Sequence, residues 1–76
     1  MEKVIVDKKE RIVKLNFNNN FYKESLIDQA IQNFSEICDI TKENTLICLK
    51  PKNKKIKLEK IGYEFYNHVL ALIKNN

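Results

Sequence analysis

The sequence predicts an α+β protein, a two-layer sandwich of about four antiparallel strands with two helices on one sheet face, in the order ββαββα. Two patterns predict this fold, since apolar residues alternate in short stretches typical of strands and recur at about 3.6-residue spacing in two longer ones. The chain has 76 residues and no apolar run long enough to span a membrane. We therefore expect a single domain, residues 1–76, with a small core.

The first two strands are predicted to form a hairpin. Residues 4–6 are a short β-branched run, and residues 7–10 are polar. In residues 11–17, Val13, Leu15 and Phe17 alternate with polar residues, which is typical of a strand with one buried face.

A first helix is predicted from about residue 22 to residue 36. The three asparagines at 18–20 favour a turn, because asparagine tolerates left-handed backbone and caps helices. One stripe of the helix is apolar and is expected to pack on the sheet: Leu26, Ile27, Ala30, Ile31 and Phe34.

Residues 37–41 are ambiguous, because they fit either an extension of this helix or a third strand. The strand is preferred, with a turn at residues 42–44 and a fourth strand at residues 45–50. Cys38 and Cys48 face each other if the turn centres on Glu43, and a slip of one residue separates them onto opposite faces. Both are expected to be reduced, packed thiols.

The fourth strand is apolar at every position from 46 to 49, which indicates cover on both faces. Helices are expected to cover one face, and self-association into a homodimer is the simplest way to cover the other. Pro51 is expected to end the strand, since proline lacks an amide hydrogen.

The second helix is predicted from about Leu58 to Lys74. Its core stripe contains Leu58, Ile61, Phe65, Val69, Leu72 and Ile73. Gly62 is expected to allow a close approach to a neighbouring element, and Glu64 is expected to pair with His68 on the solvent side. A second stripe of Tyr63, Tyr66 and Leu70 is either a partner surface or a cover for the hairpin loops.

Catalysis is not expected from this composition. The chain has one glycine, which rules out a glycine-rich phosphate loop, and its two cysteines match neither a redox motif nor a zinc site. No spacing around His68, the single histidine, suggests a metal site or a catalytic triad. We therefore expect no enzyme activity, no metal and no cofactor. Only three apolar residues stand between Lys3 and Asp7, so no export signal is predicted and a cytoplasmic location is expected.

The strongest functional signal is a basic segment between residues 50 and 60. It contains six lysines, Lys50, Lys52, Lys54, Lys55, Lys57 and Lys60, against one glutamate. Such a segment either binds an acidic partner or is a solvated loop that aids solubility. Nucleic acid is the less favoured partner, because the segment lacks arginine and interleaved aromatic residues. The candidate partner-binding residues are Lys50, Lys52, Lys54, Lys55, Lys57, Tyr63, Tyr66 and Leu70.

Three short blocks resemble one known family. They are Ala30-Ile31-Gln32-Asn33-Phe34 at the end of the first helix, Leu49-Lys50-Pro51-Lys52, and Glu64-Phe65-Tyr66-Asn67. Together they resemble the small protein D of the His-Xaa-Ser peptide-maturation systems, over roughly residues 11–73. Lys50 stands where that family usually has arginine.

The resemblance implies an accessory role in modifying a ribosomally made peptide, beside a radical S-adenosylmethionine maturase and without a cofactor of its own. The sequence thus predicts a non-enzymatic adaptor for a protein or peptide partner. The alternative is a small basic nucleic-acid-binding protein.

Overall fold

The computed structural model describes residues 4–17 and 23–75, and within them it confirms the predicted α+β fold. The elements in chain order are β1 (Val4–Asp7), β2 (Ile12–Asn16), α1 (Glu24–Phe34), β3 (Cys38–Glu43), β4 (Leu46–Pro51) and α2 (Leu58–Lys74). This is the order ββαββα, and the bounds predicted for α2 are confirmed. In the described part of the chain, no helix has both the length and the apolar character needed to cross a bilayer.

The four strands form one antiparallel sheet in the order β1-β2-β4-β3. The central strands β2 and β4 are paired so that Val13 lies opposite Leu49 and Leu15 opposite Ile47. These four side chains are buried on the face that the helices cover, as period-two alternation requires. We call this the inner face and the opposite one the outer face.

The core lies between the inner face and the two helices, and its centre is aromatic. Phe65 of α2 contacts Phe34 of α1 edge-on at 5.2 Å between ring centroids, and Phe17 lies 6.2 Å from Phe65. The core stripe of α2 is buried from Leu58 to Val69, while Leu72 and Ile73 are half-buried.

Helix α1 is shorter than predicted, since it ends at Phe34 and not at residue 36. The hydroxyl of Ser35 donates to the carbonyl of Gln32 at 2.8 Å, and the amide of Ile37 donates to the carbonyl of Phe34 at 3.1 Å. These bonds turn the chain from the helix into β3. The predicted start at residue 22 and the asparagine turn at 18–20 lie outside the described residues.

Residues 38–43 form a strand, which confirms the preferred interpretation of the ambiguous stretch. The turn that follows is Asn44-Thr45 and not residues 42–44, because Glu43 still pairs with Leu46. Asn44 adopts left-handed backbone, with φ of 57°. In this register Cys48 pairs with Thr41 on the outer face, whereas Cys38 lies on the inner face, so the two free thiols are on opposite sides of the sheet.

The expected pairing of His68 with Glu64 is wrong. Helix α1 packs beside α2 on this side, and Asn33 Nδ2 of α1 lies 2.9 Å from His68 Nε2. The imidazole also contacts the ring of Phe34, with 5.4 Å between centroids. His68 therefore belongs to the contact between the two helices.

The predicted close approach at Gly62 is confirmed. A methyl group added at its Cα would lie 2.8 Å from Cγ1 of both Val4 and Val13. Helix α2 thus rests on β1 and β2 at a point where only glycine fits without a shift of its neighbours.

Candidate binding surface

The sheet topology brings two basic stretches of the chain together. Because β2 and β4 are antiparallel neighbours, the β1–β2 turn lies beside the segment that follows β4. The turn contributes Lys8, Lys9 and Arg11, and Lys8 Nζ is 3.6 Å from a carboxylate oxygen of Glu59 at the start of α2. We define the basic end as these three residues with Lys50, Lys52, Lys54, Lys55, Lys57 and Lys60.

The lysines of the segment keep their charge available to solvent. All six, from Lys50 to Lys60, are exposed. Among the residues that the structure describes, the ion pairs join Lys8 to Glu59 and Lys42 to Glu24 and Asp28, and none includes a lysine of the segment. An anionic partner would therefore meet ammonium groups that are not ion-paired with any described residue.

Arg11 fixes the backbone that carries these lysines. Its Nη2 donates to the carbonyl oxygens of Asn53, Lys54 and Ile56 at 3.4, 3.3 and 3.2 Å. Since Nη2 carries two hydrogens, three carbonyls share them and each bond is long. The amide of Lys55 also donates to Asn53 Oδ1 at 2.8 Å.

The β1–β2 turn holds Arg11 in an uncommon backbone conformation, with φ of 56°. Left-handed backbone costs a residue with a side chain about 1–2 kcal/mol. Asp7 Oδ1 stabilises the turn by accepting from the amides of Lys9 and Glu10, both at 3.1 Å. The first hairpin thereby directs Arg11 towards the segment after β4.

An open groove of about 560 Å³ lies at this end, between the turn after α1 and the segment after β4. Its walls are Glu36 and Ile37 on one side and residues 52–56 on the other. We call it the isoleucine groove, because Ile37 and Ile56 supply its apolar surface. The side chain of Ile37 is 42% exposed, although a large aliphatic residue usually gains by burial.

The predicted tyrosine stripe is divided. Tyr63 is 57% exposed and follows Lys60 by three positions, which makes the two residues neighbours on the helix surface. Tyr66 is half-buried and stacks on Phe17, with 6.1 Å between centroids, and Leu70 is half-buried further along α2. Only Tyr63 extends the exposed basic end.

Among the residues that the structure describes, two titratable groups have shifted pKa values, the Cys38 thiol and the Lys42 ammonium. Burial, and secondarily the charge of Asp39, raises the pKa of the Cys38 thiol, while Lys52 opposes the shift. A 2.6 Å hydrogen bond to Asp28, assisted by Glu24, raises the pKa of Lys42. In the described residues, no three His, Cys, Asp or Glu side chains converge as metal ligands would.

Sequence reasoning missed Lys8, Arg11 and Ile37 as members of this surface. Lys8 and Arg11 belong to a predicted hairpin turn, and only the adjacency of β2 and β4 places that turn beside the lysine segment. Ile37 was part of the ambiguous stretch, and the turn at residues 35–37 exposes it.

Comparison with known proteins adds no relative: no protein-family profile, no curated protein and no solved structure matches this chain.

Proposed function

We propose that this chain is a non-enzymatic accessory protein that binds an acidic protein or peptide through its basic end. One observation carries the proposal: six lysines between residues 50 and 60 are exposed, and none is in an ion pair with another described residue. A lysine segment that served only solubility would not need a fixed backbone. Here Arg11 holds that backbone through three carbonyls.

The resemblance to the peptide-maturation proteins supports an identity for the partner. One of its blocks, Leu49-Lys50-Pro51-Lys52, leads directly from β4 into the lysine segment. We propose that the partner is a radical S-adenosylmethionine maturase or its precursor peptide, with Tyr63 adding apolar contact at the edge of the basic end.

Two matched double variants test this function. Lys54→Gln/Lys55→Gln removes two charges from the basic end, and Lys23→Gln/Lys74→Gln removes two exposed charges elsewhere. We expect the first pair to weaken binding to a candidate maturase or precursor peptide, chosen from a survey of the neighbouring genes, by about five- to tenfold, because each exposed charge pair contributes about 0.2–1 kcal/mol. The control pair should retain the wild-type affinity, measured by fluorescence anisotropy or calorimetry.

Equal weakening by both pairs would show that only net charge matters, and it would contradict a specific surface. A gene-neighbourhood survey without a candidate maturase or precursor peptide, or candidates that do not bind, would remove the peptide-maturation role.

Nucleic acid is the competing partner, since lysines that neutralise phosphates release counterions and make binding fall steeply with salt. Titration with duplex and single-stranded oligonucleotides at two salt concentrations separates the two functions. Salt-sensitive oligonucleotide binding that is tighter than binding of any acidic peptide would overturn the proposal.

A further inference from the structure

The isoleucine groove combines an apolar surface with a basic rim. Ile37 and Ile56 form the apolar part, and Lys52, Lys54 and Lys55 surround it with exposed ammonium groups. Among the described residues of its lining, Glu36 is the one acidic side chain. The groove is therefore suited to a ligand that is apolar at its centre and negatively charged on both sides.

The groove is preformed, because hydrogen bonds join and brace its two walls. The amide of Lys52 donates to the carbonyl of Ile37 at 2.9 Å, which links the turn after α1 to the segment after β4. Within the segment, the amide of Ile56 donates to the carbonyl of Asn53 at 3.1 Å. Arg11 also donates to the carbonyls of this backbone. A preformed groove reduces the ordering cost that a flexible lysine loop would meet on binding.

The lining favours a peptide over a nucleic acid. Bases are bound by stacking on aromatic side chains, and the groove is lined by aliphatic, amide and charged residues. Lysine acts as a point charge that a carboxylate satisfies readily. A volume of about 560 Å³ lies within the range of about 300–1,000 Å³ typical of ligand pockets. It has room for one aliphatic side chain and the backbone on either side.

We infer that the isoleucine groove is the specificity site for an acidic peptide segment, which inserts one aliphatic side chain between Ile37 and Ile56 and places flanking carboxylates on Lys52, Lys54 and Lys55. This inference rests on the proposed function and adds a sequence requirement to it: charge brings the segment to the basic end, and the aliphatic residue selects the groove.

Two fluorescein-labelled peptides test the site, Gly-Glu-Glu-Leu-Glu-Glu-Gly and the same peptide with serine in place of leucine. Their charges are equal, so the ratio of their affinities isolates the aliphatic side chain. We expect wild type to bind the leucine peptide about five- to tenfold more tightly at low salt, since the groove is open and buries the leucine side chain only in part.

Matched variants assign that preference to the groove. Ile37→Ser should abolish the preference for the leucine peptide. Ile5→Ser, which alters an exposed isoleucine away from the groove, on the outer face of the sheet, should preserve this preference. Glu36→Gln should strengthen binding of both peptides by about twofold, a gain that an unfolded variant would not show. Arg11→Asn retains a residue that tolerates left-handed backbone and should reduce the preference. Lys74→Asn removes an equal charge from an exposed position outside the basic end and should leave the preference unchanged.

The outcomes separate the two proposals. Equal binding of the two peptides by wild type, or an undiminished preference in Ile37→Ser, overturns the groove as the site while the proposed function stands. Failure of both peptides to bind at low salt overturns the groove and the charge-driven function together. Displacement of the leucine peptide by an oligonucleotide at lower concentration than by unlabelled peptide assigns the surface to nucleic acid and also overturns the inference.

Discussion

Replacement of Gly62 by alanine tests whether the contact between α2 and the first hairpin is as close as the structure shows. The new methyl group would lie 2.8 Å from Cγ1 of Val4 and of Val13, whereas carbon atoms normally meet at about 3.5–4.0 Å. Both obstacles are methyl groups on stiff β-branched side chains, and Val13 is fully buried in a central strand. They cannot move aside as the end of a long side chain would.

Two effects of opposite sign determine the result. Alanine stabilises the interior of a helix by about 1 kcal/mol relative to glycine. Overpacking of a core costs about 1–3 kcal/mol. We expect steric overlap to dominate, so that Gly62→Ala lowers the free energy of unfolding by about 1 kcal/mol, which corresponds to a decrease in Tm of about 4–8 °C for a domain of this size.

The assay is urea unfolding followed by circular dichroism, with Asn67→Gly and Asn67→Ala as the control pair. Asn67 is exposed in the middle of α2, so the difference between these two variants measures the helix preference alone. Val4→Ala should cost less stability in the Gly62→Ala background than in wild type, because it removes one of the two overlaps. The close contact would be refuted if Gly62→Ala raised the free energy of unfolding above that of wild type by the same amount that separates Asn67→Ala from Asn67→Gly.

Three further predictions concern the thiols, an ion pair and self-association. Native protein should react with Ellman's reagent in a fast phase and a phase about tenfold slower, because Cys38 is buried and its pKa is raised. Cys48→Ala should remove the fast phase. A single phase in wild type would contradict this prediction. The ion pairs that raise the pKa of Lys42 also stabilise the folded state. Their contribution is complete below the pKa of Lys42 in the unfolded state, about 10.4, and is lost as pH rises through its higher pKa in the folded state. The stability advantage of wild type over Lys42→Gln should therefore shrink above about pH 10, and an advantage independent of pH would show that the ion pairs do not matter. Finally, Ile5 and the half-buried Leu46 lie on the outer face, which no described helix covers. Sedimentation should therefore reveal a dimer that Ile5→Glu converts to monomer, and a wild-type monomer at high micromolar concentration would exclude it.

Local patterns were sufficient to predict the elements of this fold. Period-two alternation at Val13, Leu15 and Phe17 reflects a strand covered on one side, and the helical spacing from Leu58 onwards reflects packing along one stripe. The errors fall where two local structures have similar propensity. The turn after Glu43 was placed too early because Asn44-Thr45 forms a tight turn that strand propensity does not reveal, and the correct turn sets the register that separates the cysteines.

The binding surface was predictable only in part, since its members come from distant parts of the chain. The lysine segment is contiguous and visible in the sequence, whereas Arg11 joins it through the pairing of β2 with β4. Ile37 became a candidate only when its exposure was known. His68 was assigned to solvent because helical spacing shows which residues share a face, and does not show which neighbouring helix covers that face.

The bonds from Arg11 to Asn53, Lys54 and Ile56 span more than forty positions of the chain, which links binding to folding kinetics. Such contacts require the pairing of β2 with β4, and non-local pairing of this kind slows folding. A partial chain, or one still folding, would carry the same lysines without the arrangement that Arg11 imposes. A partner that requires this arrangement binds the native state in preference to the unfolded one, and by mass action it raises the stability of a domain whose own core is small.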